Sequence, residues 1–446
     1  MASSPTILVI GGGLSGLSLS LFLTRFLPQA TIKIYEARPA SQPSTSGTIN
    51  MTPNALRVLD HIGIYQSLIP DGYNFDTISM MNHRFDTLAT IPMAGAADFG
   101  YQALRIERSF IHLALLAKVK EQSQIEVIYG SKCSSVSESD SGVTVTFENG
   151  TTSTGDLLIA CDGIHSTVRK SFMANPEDHD PKYMQQVSIG GFISTSEIEK
   201  YNTKNATYPM MMFGPESETG ANFMIWPYTR AGDEVTFFTT ISKPDEEEDW
   251  KSYAGDGLKL KELLTSVFGG DDSPWNEMVR KTVELSDPER YRFWAFYLHN
   301  LPDKFYSEKA RIIIIGDAAH AMPPSGGQGG AMAFEDAESL AYALSYAYGT
   351  SKLEKLDKPQ GLEIVQKWSE HRIARIKTIQ ELNKRMSDMR KGNSGSTSGM
   401  MFTFKVWVIW ILGLLGVLGR TRRVINDYNA KQEMINLFGE DVAKLE

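Results

Sequence analysis

Gly11, Gly13 and Gly16 stand as G-x-G-x-x-G in GGGLSG, directly after the apolar run TILVI and directly before LSLSLFLTRFL. Glycines at that spacing, between a strand and a helix, let a backbone turn tightly and come close to a pyrophosphate whose charge rests on the helix amino terminus. Glu36 follows at the end of TIKIYE, where a carboxylate accepts hydrogen bonds from ribose hydroxyls. The chemistry this pattern serves is the binding of a dinucleotide.

Two further clusters lie far downstream. DLLIACDGIHSTVRK, 156–170, ends an apolar run on Asp162-Gly163, and IIIIGDAAHAMPPSGGQGGAM, 312–332, ends another on Gly316-Asp317 before a loop rich in proline and glycine. Taken with the first cluster, their order and separation resemble the FAD-dependent monooxygenases of the aromatic hydroxylase type. The resemblance covers about residues 6–385, and the fungal secondary-metabolite branch, paxilline-pathway-like, is the most similar. It implies that Asp317 takes the ribityl hydroxyls of FAD and that the glycines ending at Gly330 let the loop backbone pass close to the flavin ring. It further implies that Asp162 and Gly163 serve FAD and the nicotinamide route, that Arg108 opens a helix near the pyrophosphate, and that Gly47 lies on a loop touching the cofactor. A helix cap at Arg108 and a simple turn at Gly47 are the alternatives. His165 and His320 fall inside these motifs and are expected to orient backbone, His320 as a structural residue, with Arg169 closing the Asp-Gly motif. Two positions depart from the family pattern: Ala331 stands where asparagine is common, and Cys161 where alanine is.

The elements that must position these residues follow from periodicity. TILVI, TIKIYE, DLLIA and ARIIII read as buried parallel strands, and 48–70 and 105–123 as helical segments, the second with Ile111, Leu115 and Val119 on one face. EVIYG, VTVTFENG and DLLIACDG suggest two antiparallel strands joined at Asn149-Gly150 and a strand returning to the nucleotide-binding sheet. YMQQVSIGGFIS, YPMMMFG, NFMIWPY and EVTFFTTIS form a second sheet. The expected fold is α/β: a Rossmann-type FAD-binding domain with a parallel sheet, discontinuous over 1–75, 100–174 and 300–350, interrupted by a β-sheet substrate domain of 76–99 and 175–299, with C-terminal helices. An amphipathic helix is expected at 361–390, with Trp368, Ile373, Ile376 and Ile379 on its apolar side, then a linker at 391–400.

The 446 residues carry 44 basic and 53 acidic side chains, a net charge of −9, which gives no electrostatic ground for a nucleic-acid partner. Two cysteines, Cys133 and Cys161, build no disulfide framework and offer no zinc spacing. No metal site and no catalytic triad is evident. The family reaction needs none, since NAD(P)H and O2 supply the reductant and the oxygen while the protein positions a substrate and excludes water.

No arginine occurs between Lys170 and Arg230, which argues for a neutral, apolar substrate. Phe213, Phe223, Trp226 and Tyr228, with Met210 to Met212, are candidate pocket residues. Tyr228 alone has an acid/base handle and is the candidate catalytic side chain. A flavin-dependent reductase or dehydrogenase of the same fold, or a non-catalytic flavin-binding protein anchored to a membrane, would use the same cradle.

Val406 to Gly419 is an uninterrupted apolar run of 14 residues. At 1.5 Å per residue it reaches about 21 Å, short of a ~30 Å hydrocarbon core. Trp407 and Trp410 suit an interface, and Arg420, Arg422 and Arg423 a cationic flank. Residues 401–423 are therefore expected to associate with a membrane, with the catalytic domain in the cytoplasm and 424–446 as a polar tail.

Overall fold

The computed structural model describes residues 5–42, 47–173, 180–214, 221–243, 252–350, 359–390 and 417–439. A parallel sheet carries the first core: β1 (Thr6–Ile10), β2 (Thr31–Glu36), β8 (Ile125–Tyr129), β12 (Leu157–Ala160) and β18 (Ile312–Ile314), in the order β18-β12-β1-β2-β8. Leu8 pairs with Leu158 on one side and Lys33 on the other, and Ile159 pairs with Ile313. β1, β12 and β18 are apolar along almost their whole length because helices cover both faces, as parallel sheets require.

The longer helices are α1 (Leu14–Phe26), α2 (Pro53–Ile62), α3 (Arg108–Lys120), α4 (Gly257–Phe268), α5 (Glu277–Leu285), α6 (Gly329–Thr350), α7 (Pro359–Arg390), α8 (Val417–Asn426) and α9 (Ala430–Phe438). α3 buries Ile111, Leu115 and Val119, the stripe its periodicity predicts, and α7 buries Trp368, Ile373, Ile376 and Ile379.

A seven-stranded sheet holds β5 (Thr77–Asn82), β6 (Thr87–Pro92), β13 (Lys182–Ser194), β14 (Met210–Phe213), β15 (Asn222–Pro227), β16 (Glu234–Ser242) and β17 (Arg292–Leu298), in the order β17-β13-β16-β15-β14-β5-β6. Its two faces differ in what covers them. Met212, Phe223, Ile225 and Phe237 pack with Leu264 and Phe268 of α4, the Phe223 and Phe268 rings lying 5.1 Å apart. Met224 and Trp226 lie on the opposite face with Phe75 and Ile78. A small sheet of β3 (Thr48–Met51), β7 (Ala103–Glu107) and β4 (Tyr73–Phe75), with β7 central, stands between the two cores. Its Ile49, Leu104 and Ile106 pack with the first core, while Phe75 and Ala103 pack with Trp226. A last antiparallel sheet is β9 (Cys133–Glu138), β10 (Val143–Phe147) and β11 (Thr152–Gly155).

Several expectations change. Thr48–Met51 is a strand, and the helix begins only at Pro53, whose fixed φ suits a first helical turn. Arg105 likewise lies in a strand, and its helix starts at Arg108. EVIYG joins the parallel sheet beside β2 instead of the antiparallel unit, and the polar run CSSVSE pairs with β10 in its place. The hairpin at Asn149-Gly150 joins β10 to β11 as expected.

The segment read as a polar tail is folded as far as Phe438: Ala430 and Met434 of α9 are buried, and the Phe438 ring stacks on Tyr346 at 5.5 Å. Arg422, read as part of a cationic flank, pairs instead with Asp98 and lies over the Phe99 ring at 4.8 Å. Residues 391–416, with the expected linker and most of the apolar run, lie outside the described residues. Among the described residues no helix is long and apolar enough to cross a membrane.

Candidate functional site

Because β1, β12 and β18 are neighbours and parallel, their carboxyl ends emerge side by side. Each end carries one of the three predicted clusters. Gly11 has φ +110°, and a Cβ there would lie 2.3 Å from the Cys161 carbonyl oxygen, so the first cluster passes directly against the chain entering Asp162. Gly316 closes the other side, where a Cβ would lie 2.9 Å from Ser15 Oγ. The three segments therefore form one cradle at the carboxyl edge of the sheet, where open α/β sheets bind ligands.

Within the first cluster the glycines differ in what they answer to. A Cβ on Gly16 would stand 2.0 Å from the Gly11 carbonyl oxygen, so the fold itself excludes one. Gly13 is the N-cap of α1 with φ −80° and ψ −171°, a conformation open to any residue, and a Cβ there would meet nothing within 4 Å. No side chain caps that helix end. The Gly13 surface is thus bare and borders amide donors that no side chain satisfies, as an anion site requires.

Glu36, at the end of β2, is buried and reaches into the cradle, its Oε2 accepting from the Gly12 N–H at 2.8 Å. Arg38 donates to Oε1 from its backbone N–H at 3.0 Å and from Nε at 2.9 Å. Burial pushes the Glu36 carboxyl up, but the bonds from Arg38 and Gly12 outweigh it and hold the group below its ordinary range. An ionised carboxylate has about four lone-pair sites, so it retains acceptor capacity for hydroxyls. His112 of α3, not singled out from sequence, borders the same depression, its Nε2 2.9 Å from the Gly12 carbonyl oxygen.

Asp162 is only partly satisfied. Its Oδ2 accepts from the Val168 N–H at 3.2 Å, while Oδ1 is buried without a partner among the described residues. Burial pushes this carboxyl up. Gly163 follows it with φ +81°. Arg169 ties this segment to the third one, Nη1 donating to the Ala319 carbonyl at 2.6 Å and Nη2 to that of Asn300 at 2.6 Å. His165 is a correction: it is exposed, its ring meets Tyr297 edge-on at 6.1 Å, and it makes no hydrogen bond to backbone among the described residues. His299 holds the backbone instead, with Nε2 2.5 Å from the Ile164 carbonyl oxygen.

Asp317 starts a single helical turn with its side chain exposed. Burial lowers the Arg108 guanidinium, and the nearby charge of Asp317 acts on it in the opposite sense. Arg108 also donates its backbone N–H to the Gly47 carbonyl at 2.9 Å, so Gly47 joins the rim, with Trp294 against it. Gly330, at the start of α6, lies against Ile49 of β3.

Behind the Gly-Asp turn stands a buried ionic network. Asp336 accepts from the Gly316 N–H at 2.8 Å, lies 2.5 Å from His320 Nε2, and accepts from Arg372 Nε at 2.8 Å. Arg372 and Arg375 of α7 both donate to Glu335, at 2.9 and 3.0 Å. Tyr428 accepts from Arg372 at 2.8 Å, carrying the network into the chain after α8. Two carboxylates facing two guanidiniums satisfy the pairing that buried charge demands. His320 is structural, as its motif position implies.

Tyr228 lies apart from this cradle, on the turn after β15. Its hydroxyl donates to Glu234 at 3.2 Å and its ring meets Phe192 edge-on at 5.5 Å. Burial and the Glu234 charge push the phenol up to about 12, so it is a donor at neutral pH and not a base. Of the candidate pocket residues, Met210, Met212 and Phe223 face α4 and α5, because alternation along a strand sends residues 223 and 225 to the face opposite 224 and 226. Sequence reasoning missed Arg105, which lies buried on the Trp226 face. The signal was there: a cation between Leu104 and Ile106 in the short strand ALRIE.

FAD fits these residues on two observations. The Gly13 surface is open where a phosphate would come closest, and Asp162 Oδ1 is a buried acceptor without a partner among the described residues.

A family model described as the FAD binding domain matches residues 4–360. Among curated proteins, the chain is 27% identical to 6-hydroxynicotinate 3-monooxygenase of Pseudomonas fluorescens over 384 residues, 82% of this chain and 92% of that one. It is 24% identical to the FAD-dependent monooxygenase olcE of Penicillium canescens, over 85% of this chain and 79% of that one. Among solved structures, HpxO of Klebsiella pneumoniae complexed with FAD and uric acid superimposes with a TM-score of 0.72 at 19% identity, covering 99% of this chain and 98% of that one.

Proposed function

The chain belongs to the FAD binding domain family, and from that premise we propose that it is an FAD-dependent monooxygenase of the fungal secondary-metabolite type. It uses NAD(P)H and O2 to hydroxylate or epoxidise a neutral, apolar small molecule. One oxygen atom of O2 enters the substrate, the other leaves as water, and NAD(P)H with a proton supplies the two electrons. The observation that carries this reading is the adjacency of the ends of β1, β12 and β18, which draws three glycine and acid clusters into one cradle. Relatives that share the family are monooxygenases by name.

When bound, FAD supplies the hydride acceptor and the oxygen-activating chemistry that no side chain here offers. The rest falls to the chain. Gly11, Gly13 and Gly16 bring α1 to the pyrophosphate, with Arg108 beside it; Glu36 accepts from ribose hydroxyls; Asp317 accepts from the ribityl chain. Asp162 and Gly163 would contribute from the end of β12, and Gly47 and Gly330 would lie on loops that touch the cofactor. The network behind Asp336 fixes the Gly-Asp turn so that these contacts are preorganised. The seven-stranded sheet, in the unit of 76–99 and 175–299, supplies the substrate face through Met224 and Trp226. Tyr228 fixes the turn between β15 and β16 through Glu234. The apolar run at 401–419 holds the enzyme at a membrane surface, which suits an apolar substrate.

Incubation with NAD(P)H, isotopically labelled dioxygen and an extract of the source organism tests this. A product carrying one labelled oxygen is expected. Turnover that proceeds equally without oxygen would instead favour the reductase reading.

A further inference from the structure

The turn between α8 and α9 is the meeting point of two sets of hydrogen bonds that run to different parts of the site. Towards the cradle, Tyr428 accepts from Arg372 Nη1 at 2.8 Å, and the Arg375 guanidinium lies over its ring, 4.1 Å from the centroid. Those two arginines hold Glu335 and Asp336, and from the two acids the contacts divide. Asp336 fixes the Gly-Asp turn through the Gly316 N–H and His320. Glu335 accepts from Asn54 Nδ2 at 2.8 Å, and Asn54 with Thr52 holds Gln328, a buried residue of the proline and glycine loop. Gln328 Oε1 accepts from Asn54 at 3.4 Å and its Nε2 donates to Thr52 Oγ1 at 3.2 Å. The Gly-Asp turn and the glycine loop therefore both end on the same two acids.

Away from the cradle, Asn426 is 1% exposed and donates Nδ2 to the Met93 carbonyl at 2.8 Å. Arg57 of α2 fastens the same turn, donating Nη1 to the Asn426 and Tyr428 carbonyls at 3.1 and 2.7 Å and Nη2 to that of Phe99 at 3.4 Å. Arg422 adds its pair with Asp98. Met93 directly follows β6 and packs with Met224 and Trp226, on the sheet face assigned to substrate. The chain after α8 is thus a strap that holds residues 93–99, at the back of the substrate face, to the arginines of the ionic network.

Two guanidiniums already pair the two carboxylates, so the Tyr428 hydroxyl adds no charge to the network and acts by placing Arg372. The turn that carries it is fixed at both ends. The Asp427 N–H donates to the Arg423 carbonyl at 2.9 Å, and the Asn429 side chain accepts from the Gln432 N–H at 3.1 Å, capping α9. Asn426 and Tyr428 lie two residues apart on this held turn, so a displacement at one reaches the other. We propose that Asn426 and Tyr428 are positioning residues that couple the flavin-side loops to the substrate-side segment 93–99, so that FAD in the cradle orders the wall behind the substrate. The coupling rests on the flavoenzyme reading above, since FAD is the ligand at one end of it. It is reciprocal: whatever firms 93–99 tightens FAD by the same factor.

Amide hydrogen exchange of the full chain, with and without saturating FAD, tests this. The Phe99 and Gly100 N–H groups donate to the Gly95 and Ala96 carbonyls, each at 2.9 Å, so their exchange reports opening of this segment. In wild type FAD is expected to slow exchange several-fold at 93–100 and at 426–434, and to leave α4, which covers the other face of the seven-stranded sheet, unchanged. Asn426→Leu, which removes the bond to Met93, should abolish the slowing at 93–100 and keep it at 316–330. Tyr428→Phe keeps the ring and removes the hydroxyl. It should abolish the slowing at 93–100 and weaken FAD by about three- to ten-fold, the effect of about one hydrogen bond. Flavin content and the thermal midpoint, measured alongside, show that each variant is folded.

No slowing at 93–100 in flavin-loaded wild type, equal slowing in α4, slowing at 93–100 that survives either substitution, or unchanged FAD affinity in Tyr428→Phe would each overturn the coupling. Those results in a protein that holds FAD leave the monooxygenase reading standing. A protein that takes up no FAD defeats the parent reading instead.

Discussion

Gly13→Ala separates what the fold needs from what a ligand needs. The backbone at Gly13 has a negative φ and a Cβ there meets nothing within 4 Å, so alanine is compatible with the protein alone. A glycine replaced by alanine in such a conformation stabilises a protein by about 0.4–1 kcal/mol through the unfolded chain. The apoprotein's unfolding midpoint should therefore hold or rise. FAD should respond in the opposite sense. The methyl would occupy the surface where a phosphate approaches the end of α1, and displacing that group forfeits at least one charge-assisted hydrogen bond, about 1.5–3 kcal/mol. The dissociation constant should rise by roughly 10- to 150-fold. Titration of apoprotein with FAD, followed by quenching of flavin fluorescence, measures it, with denaturant unfolding of the same samples as the control. Gly16→Ala gives the contrast, since its Cβ would lie 2.0 Å from the Gly11 carbonyl oxygen and should damage the fold before any ligand is added. Unchanged FAD affinity in Gly13→Ala would refute the placement of the pyrophosphate.

Other outcomes follow from the same geometry. Glu335→Gln leaves Arg372 and Arg375 buried with one carboxylate fewer, and should cost about 3–5 kcal/mol in denaturant unfolding, the scale for breaking a buried pair. His371 is lowered to about 4 by burial and by Arg372, so the folded state binds its proton less well than the unfolded chain. Its contribution is therefore complete above the ordinary histidine range and is lost as pH falls from about 6.5 towards 4, by about 1–2 kcal/mol after allowing for its partial exposure. His371→Gln should flatten the wild-type loss of thermal midpoint across that window; an unchanged slope would rule this out.

The cradle was legible because its chemistry is backbone chemistry. Gly11, Asp162 and Asp317 each end a short apolar run, and a run with both faces buried has only one way to sit in a parallel sheet. The remainder depends on contacts between residues far apart in the chain. Thr48–Met51 reads as the approach to a helix, and only its pairing with β7 makes it a strand. CSSVSE shows too little apolar alternation to announce β9. Phe223 and Trp226 are three residues apart in one strand and equally apolar, yet they face opposite covers. Glu335 and Arg372 are 37 positions apart, so their pairing appears only once α6 and α7 are packed. The stacking of Arg105 on Trp226 is hidden for the same reason: the two belong to different sheets and meet across them.

The central claim is that three strand ends hold one FAD. The most direct measurement is the flavin stoichiometry of purified, reconstituted full-length protein, read from its visible absorbance spectrum against protein concentration. One FAD per chain is predicted. A protein that stays colourless in excess FAD would contradict the account.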